Sequence, residues 1–225
     1  MDNYVKFLTA ISLLIFLVMI PIAYLNGVYG WIPDLVTFII LTVVYYWLYD
    51  AFRMTMPIFT FLILAHALHS GGIFGWYYIS PVPIRWEIVT HLAGGFAFSL
   101  LIFRWMEQWM DSKFTKKTWL VLIGIFLAAT GIGAVVEISE FVGYLVAGEG
   151  EGAFQFGPGD GVAGLEGTEL IDALGGGWIN EGWDFIFNTI GILAGIVIMI
   201  VIRMAHKKPA SAYYYEPIGR YSKKI

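Results

Sequence analysis

Apolar residues along the chain fall into six blocks of membrane-crossing length, each set off from the next by polar or helix-breaking residues. A bilayer's hydrocarbon core is about 30 Å thick and takes roughly 20 apolar residues as helix. The blocks therefore predict helices near residues 7–25, 33–51, 57–79, 86–106, 118–146 and 182–204. Punctuation agrees with these bounds. Asn26-Gly27 and Pro33 bracket the first turn, Pro57 stands where a helix start tolerates proline, and Ser80-Pro81-Val82-Pro83 breaks the chain before the fourth block. Gly71-Gly72 is expected to kink the third helix or end it early. Lys6 ahead of the first block resembles a signal-peptide start. No small-x-small cleavage site follows, so a retained first helix is expected.

Composition supports lipid as the solvent. Of 225 residues, 59% are hydrophobic and 13% charged, against about 25% charged in ordinary soluble domains. The expected fold is all-α: a polytopic transmembrane helix bundle over residues 1–205, with a basic cytoplasmic tail over 206–225. A net charge of −4 carries no nucleic-acid signature, and the absence of cysteine excludes disulfides and thiolate ligands. Basic residues favour the cytoplasmic face. Six spans with both ends inside put Lys6, Arg53, Arg104, Lys113, Lys116, Lys117, Arg203 and all five basic residues of the tail on one face, and Arg85 alone outside. The location expected is the cell (plasma or inner) membrane. Nothing in the sequence fixes an oligomeric state.

One long connection, 148–180, is acidic and glycine-rich and lies outside in this topology. It reads either as a solvated loop or as a lid, with a short helix from Thr168 to Leu174 after a threonine cap. The tail holds Tyr213, Tyr214 and Tyr215 and reads as a segment on the anionic leaflet or as a free end. Trp31, Trp76, Tyr77, Tyr78, Trp86, Trp178 and Trp183 at outer span ends, and Trp47, Trp105, Trp109 and Trp119 at inner ends, fit an interfacial belt.

Ionisable residues inside spans are costly and are functional candidates. The third helix carries His66 and His69, the fourth Glu87 and His91, the fifth Glu137 and Glu140, and the sixth Glu181, Asp184 and Asn188. Spacings of three or four put each of the last three sets on one helix face. Gly94 or Gly95, Gly133, Gly191 and Gly195 lie on the same stripes, and small residues let helices approach closely. Counted from the outer ends, His91, Glu140 and Asn188 lie roughly 7–11 Å deep and His69 and Glu137 roughly 15 Å. The expectation is one shared polar site in the outer half of the bundle.

Imidazoles and carboxylates without a buried Lys or Arg leave negative charge that needs a cation or a proton. A divalent transition metal (zinc, iron or manganese) suits that donor set. His69, Glu87, His91, Glu140 and Asp184 are the expected metal ligands. Glu137 and Glu140 are the candidate catalytic groups, and Arg85 and Asn188 are candidates for substrate contact. Arg85 could instead pair with Glu87 or Glu140. Carboxylates on two helices beside a carboxylate–histidine helix are similar to di-metal bundle sites, which use Glu-x-x-His; Glu87 and His91 are four apart, so one of them could support the other rather than bind. Simpler readings stand beside these. His66 fits a packing residue, Glu181 a cap or solvated carboxylate at the water boundary, and Asn188 a helix-to-helix hydrogen bond. The whole set could be a structural network or a proton path.

His69-Ser70-Gly71-Gly72, Glu87-x-x-x-His91-x-x-Gly94-Gly95, Glu137-x-x-Glu140 and Trp183-Asp184-x-x-x-Asn188-x-x-Gly191 together resemble the YjdF-like inner-membrane proteins. The last of these motifs is also similar to VanZ-like membrane proteins. The likeness covers roughly residues 60–200 and implies the same helical fold and polar positions, with no activity to transfer. The family often has aspartate at the position of Glu87, and the glycine-rich stretch after residue 147 departs from its pattern. Three functions follow as expectations: a metal-dependent enzyme acting on a lipid or lipid-linked substrate, a proton or cation transporter, and a non-catalytic subunit or scaffold.

Overall fold

The structure, a computed structural model, describes residues 3–147 and 165–205. Six α-helices make up the fold: α1 Asn3–Leu25, α2 Trp31–Trp47, α3 Met56–His69, α4 Trp86–Met106, α5 Lys116–Ala147 and α6 Gly167–Ala205. Short 3-10 segments follow α3 at Ser70–Phe74 and α4 at Glu107–Trp109. The described residues contain no strand. Five stretches are long and apolar enough to cross a membrane, and α2, at 17 residues, is a shorter apolar helix. At 1.5 Å per residue, α2 spans about 26 Å.

Apolar side chains face outward along whole helices, the reverse of a water-soluble bundle. Leu120, Ile123, Leu127, Val135, Ile138 and Val142 form one exposed stripe on α5. Trp183, Ile186, Ile190, Leu193, Val197 and Val201 form another on α6. Steps of three and four keep such residues on one face, and apolar faces of this length mark contact with lipid or another apolar surface rather than with water. Polar groups turned inward on α1 are satisfied locally: the Thr9 hydroxyl donates to the Val5 carbonyl at 2.7 Å and Ser12 to Leu8 at 2.6 Å.

Helix α4 is the centre of the bundle and packs on α3, α5 and α6. Its contact with α6 is close because glycines face carbonyls. A Cβ at Gly95 would run into the Asn188 carbonyl, one at Gly191 into that of Leu92, and one at Gly195 into Ser99 and Phe96. Gly94 has open space beside it, so Gly95 is the residue of that pair that sets the approach. Phe59, Leu62, Ala97, Phe103, Ile125 and Ile192 fill the core among α3–α6. A second core of Phe16, Ala23, Trp31, Leu35, Phe38 and Ile73 joins α1 and α2 to the end of α3.

Two expectations change. The third helix ends at His69, as Gly71-Gly72 foreshadowed, and a 3-10 turn replaces its last part. The sixth helix starts at Gly167 rather than near 182 and runs 39 residues, through Gly175, Gly176 and Gly177. The short Thr168–Leu174 helix is thus the first part of α6. Hydropathy places a helix where lipid begins, but backbone hydrogen bonding carries α6 about 22 Å further. The lid reading for 148–164 and the tail reading for 206–225 lie outside the described residues.

Candidate metal centre

The end of α3 is shaped by rings. Gly72 abuts the Trp31 ring and Gly71 the rings of Trp76 and Trp86, so a side chain at either would displace an indole. The Trp86 indole N–H donates to the Leu68 carbonyl at 3.0 Å, closing one of the carbonyls that a helix end leaves open. Gly75 takes φ +75°, a conformation that favours glycine, and the chain turns so that Tyr77 comes back to α3. Its hydroxyl lies 2.8 Å from Nδ1 of His69 and 3.2 Å from the Thr90 hydroxyl on α4. Trp31 and Phe38 meet the His69 ring at centroid distances of 5.2 and 5.6 Å.

One helical turn beyond Glu87, His91 lies between two carboxylates on two other helices. Its Nδ1 is 3.4 Å from Oε1 of Glu137 on α5, and its Nε2 is 3.3 Å from Oδ1 of Asp184 on α6. The Asn188 amide, one turn past Asp184, donates to Oε1 of Glu137 at 2.5 Å. The Asn180 amide donates to Glu87 at 3.0 Å and to Asp184 at 3.3 Å. Arg85 pairs with Glu87 at 2.5 Å while its own side chain stays 70% exposed.

His91, Glu137, Glu140 and Asp184 can each offer one ligand atom, and these four atoms lie within 4.8 Å of one another. His69 and Glu87 line a cavity of about 10 Å³ together with Tyr77, His91, Glu140, Asn180 and Asp184. A space that size admits a water or an ion and nothing larger.

The predicted residues are thus brought together with a division of labour. His91, Glu137, Glu140 and Asp184 form the centre, His69 and Glu87 flank it, Arg85 sits at its rim, and Asn188 orients Glu137. His66 turns away to α2, stacked on Phe38 at 4.7 Å with the Tyr45 hydroxyl 3.1 Å from its Nε2. That is the packing role its surroundings suggested. Glu181 corrects the reading of a solvated cap: it is 4% exposed and lies beside Glu137. Because α6 starts fourteen residues before it, Glu181 is inside a helix rather than at its entrance.

Four members were missed. Asp34, in the first turn of α2, is a further carboxylate, 1% exposed. Asn180 precedes Asp184 by four, the spacing of the other pairs, but lies in the stretch that hydropathy reads as loop. Tyr77 was counted with the interfacial aromatics, and Thr90 carries no sequence signal apart from lying between Glu87 and His91.

Asp34, Glu87, Glu137, Glu140, Glu181 and Asp184 are all buried, and the Arg85 guanidinium pairs with Glu87 at the rim. Oε2 of Glu137, Oε2 of Glu181 and Nε2 of His69 are buried without a hydrogen-bond partner. Buried polar atoms are rarely left so. A cation or a shared proton would take up such lone pairs, and the four-residue group offers the mixed nitrogen and carboxylate donors that a metal ion can use.

The chain belongs to the DUF2238 family of predicted membrane proteins, whose family model matches residues 5–208. This agrees with the YjdF-like resemblance; the match does not extend to the VanZ-like likeness of the last helix. No curated protein and no solved structure matches the chain.

Proposed function

We propose that this member of the DUF2238 family is a metal-dependent membrane enzyme acting on a lipid or lipid-linked substrate, with its metal held by His91, Glu137, Glu140 and Asp184. The carrying observation is that three helices bring one potential ligand atom from each of these residues within 4.8 Å, with the three carboxylates buried. The proposed setting is the cell membrane, crossed six times with both ends in the cytoplasm, so that the site opens to the outer leaflet.

A bound divalent transition metal supplies a Lewis acid and lowers the pKa of a bound water. The chain's own groups then have distinct tasks. Glu140 or Glu137 takes the proton of the attacking water. Asn188 holds Glu137 in register by donating to its Oε1. Asn180 ties Glu87 to Asp184 and so holds α4 against α6 across the site. Arg85, exposed at the rim, meets the anionic part of a substrate too large for the cavity, which therefore reacts at the mouth.

A cation carrier would need polar groups continuing through the other half of the bundle. The core among α3–α6 is instead apolar, with Leu62, Phe103, Ile125 and Ile192 in it, and the buried hydroxyls of Thr9, Thr42 and Ser99 close on carbonyls of their own helices. The discriminating experiment reconstitutes the full chain in vesicles of labelled outer-leaflet lipids. Turnover that stops with a chelator, returns with zinc or manganese, and is absent in His91→Ala is the expected result. Turnover indifferent to chelation, or ion flux without turnover, would overturn the reading.

A further inference from the structure

We propose that the site holds two cations, the second lying in the cavity between His69 and the shared carboxylates Glu140 and Asp184. This rests on the metal reading above and adds to it a position and a ligand. Three observations carry it.

A chain of hydrogen bonds fixes the protons of His69. The Thr90 hydroxyl donates to the Glu87 carbonyl at 2.8 Å, which can only accept. Thr90 has spent its proton there, so the Tyr77 hydroxyl donates to Thr90 Oγ1 at 3.2 Å. Tyr77 therefore accepts from His69, whose Nδ1 at 2.8 Å carries the ring proton. The neutral imidazole has one N–H, so Nε2 is a bare lone pair. It is buried and has no hydrogen-bond partner, and His69 lines a cavity with Tyr77, Glu87, His91, Glu140, Asn180 and Asp184. Metal-binding histidines are held in this way, with the far nitrogen donating its proton to an oxygen.

The cavity and the four-residue group overlap without having the same members. Glu140, Asp184 and His91 belong to both, whereas Glu137 is absent from the cavity lining and His69 is absent from the group. Two positions that share Glu140 and Asp184, with Glu137 at one end and His69 at the other, describe both sets. Carboxylates bridging paired metals at roughly 3.5–4 Å are the common form of two-metal sites.

Charge gives the third observation. The six buried carboxylates face one guanidinium, that of Arg85 on Glu87, and His91, which has a carboxylate at each ring nitrogen. Each cation bound there takes up negative charge that would otherwise have to be neutralised by protons. Isolated buried charges of that kind are strongly disfavoured.

The test loads purified full-length protein with Mn²⁺ alone, counts metal per chain, and records its electron paramagnetic resonance spectrum. Two manganese ions per chain with a spin-coupled spectrum are expected. His69→Ala should leave one ion with an uncoupled signal. Tyr77→Phe, which keeps the ring and removes the proton relay, should weaken the second site alone, by roughly 10- to 100-fold, and it covers the case in which His69→Ala fails to fold. One uncoupled ion in the wild type, unchanged by either variant, would overturn the second position and leave the first standing. No bound manganese in folded protein would overturn both.

Discussion

The two ends of the bundle use charge in opposite ways. At the end holding Arg53, Arg104 and Arg203, charged groups close on the backbone. Arg104 donates to the Arg53 carbonyl at 3.0 Å and pairs with Glu107. Arg203 donates to the Asp111 carbonyl at 2.8 Å and reaches those of Glu107 and Met110 at 3.5 Å. The Thr115 hydroxyl, with Lys117 beside it, holds the Asp111 carboxyl below the usual carboxylate range. At the other end, six carboxylates are gathered with one guanidinium, and buried oxygens and a buried imidazole nitrogen stay without partners. The first arrangement spends charge on joining helices. The second gathers charge that only a bound cation or a proton would offset, and the proposed metal site takes the first of these.

That contrast can be broken by experiment, and the largest effect concerns the metal. A divalent metal at roughly 1,000 times its Kd should stabilise the wild type by about 4 kcal/mol, read as a rise in thermal midpoint that a chelator reverses. Arg203→Ala comes next. It should cost about 1.5–3 kcal/mol, the range for hydrogen bonds to a charged group, while leaving the metal-induced rise intact. Gly191→Leu should cost about 1–3 kcal/mol by forcing α4 from α6, and it should also reduce metal binding because His91 and Asp184 separate; Gly94→Ala, beside open space, should do neither. The smallest effect has the opposite sign. Glu140→Gln should stabilise the metal-free protein by about 1 kcal/mol, since an uncompensated buried group is removed, and should abolish most of the metal-induced rise. If Glu140→Gln destabilises the metal-free protein as Arg203→Ala does, the two ends do not differ and the acidic group is a structural network.

Much of this was legible in the chain, for physical reasons. Helices in lipid announce themselves by length and composition, and carboxylates and imidazoles stand out against them at spacings of three and four. Glu87 with His91, Glu137 with Glu140, and Asp184 with Asn188 were found that way, and Gly191 and Gly195 marked the helix pair. Illegible were residues whose role depends on a turn or an extension. Asn180 looked like loop because hydropathy ends α6 where lipid ends. Asp34 looked like an ordinary acid in a helix's first turn, where negative charge is favoured anyway. Tyr77 reaches His69 only through the reversal at Gly75, which no periodicity encodes. Glu181 was misjudged for the same reason as Asn180.

The central claim is that the buried group of His91, Glu137, Glu140 and Asp184 exists to hold metal. The most direct measurement is elemental analysis of the purified full-length protein after exhaustive dialysis, run beside His91→Ala of matched helicity. The account predicts at least one equivalent of transition metal per chain in the wild type and a near-complete loss in the variant. A folded wild type free of metal, or equal metal in both, would contradict it.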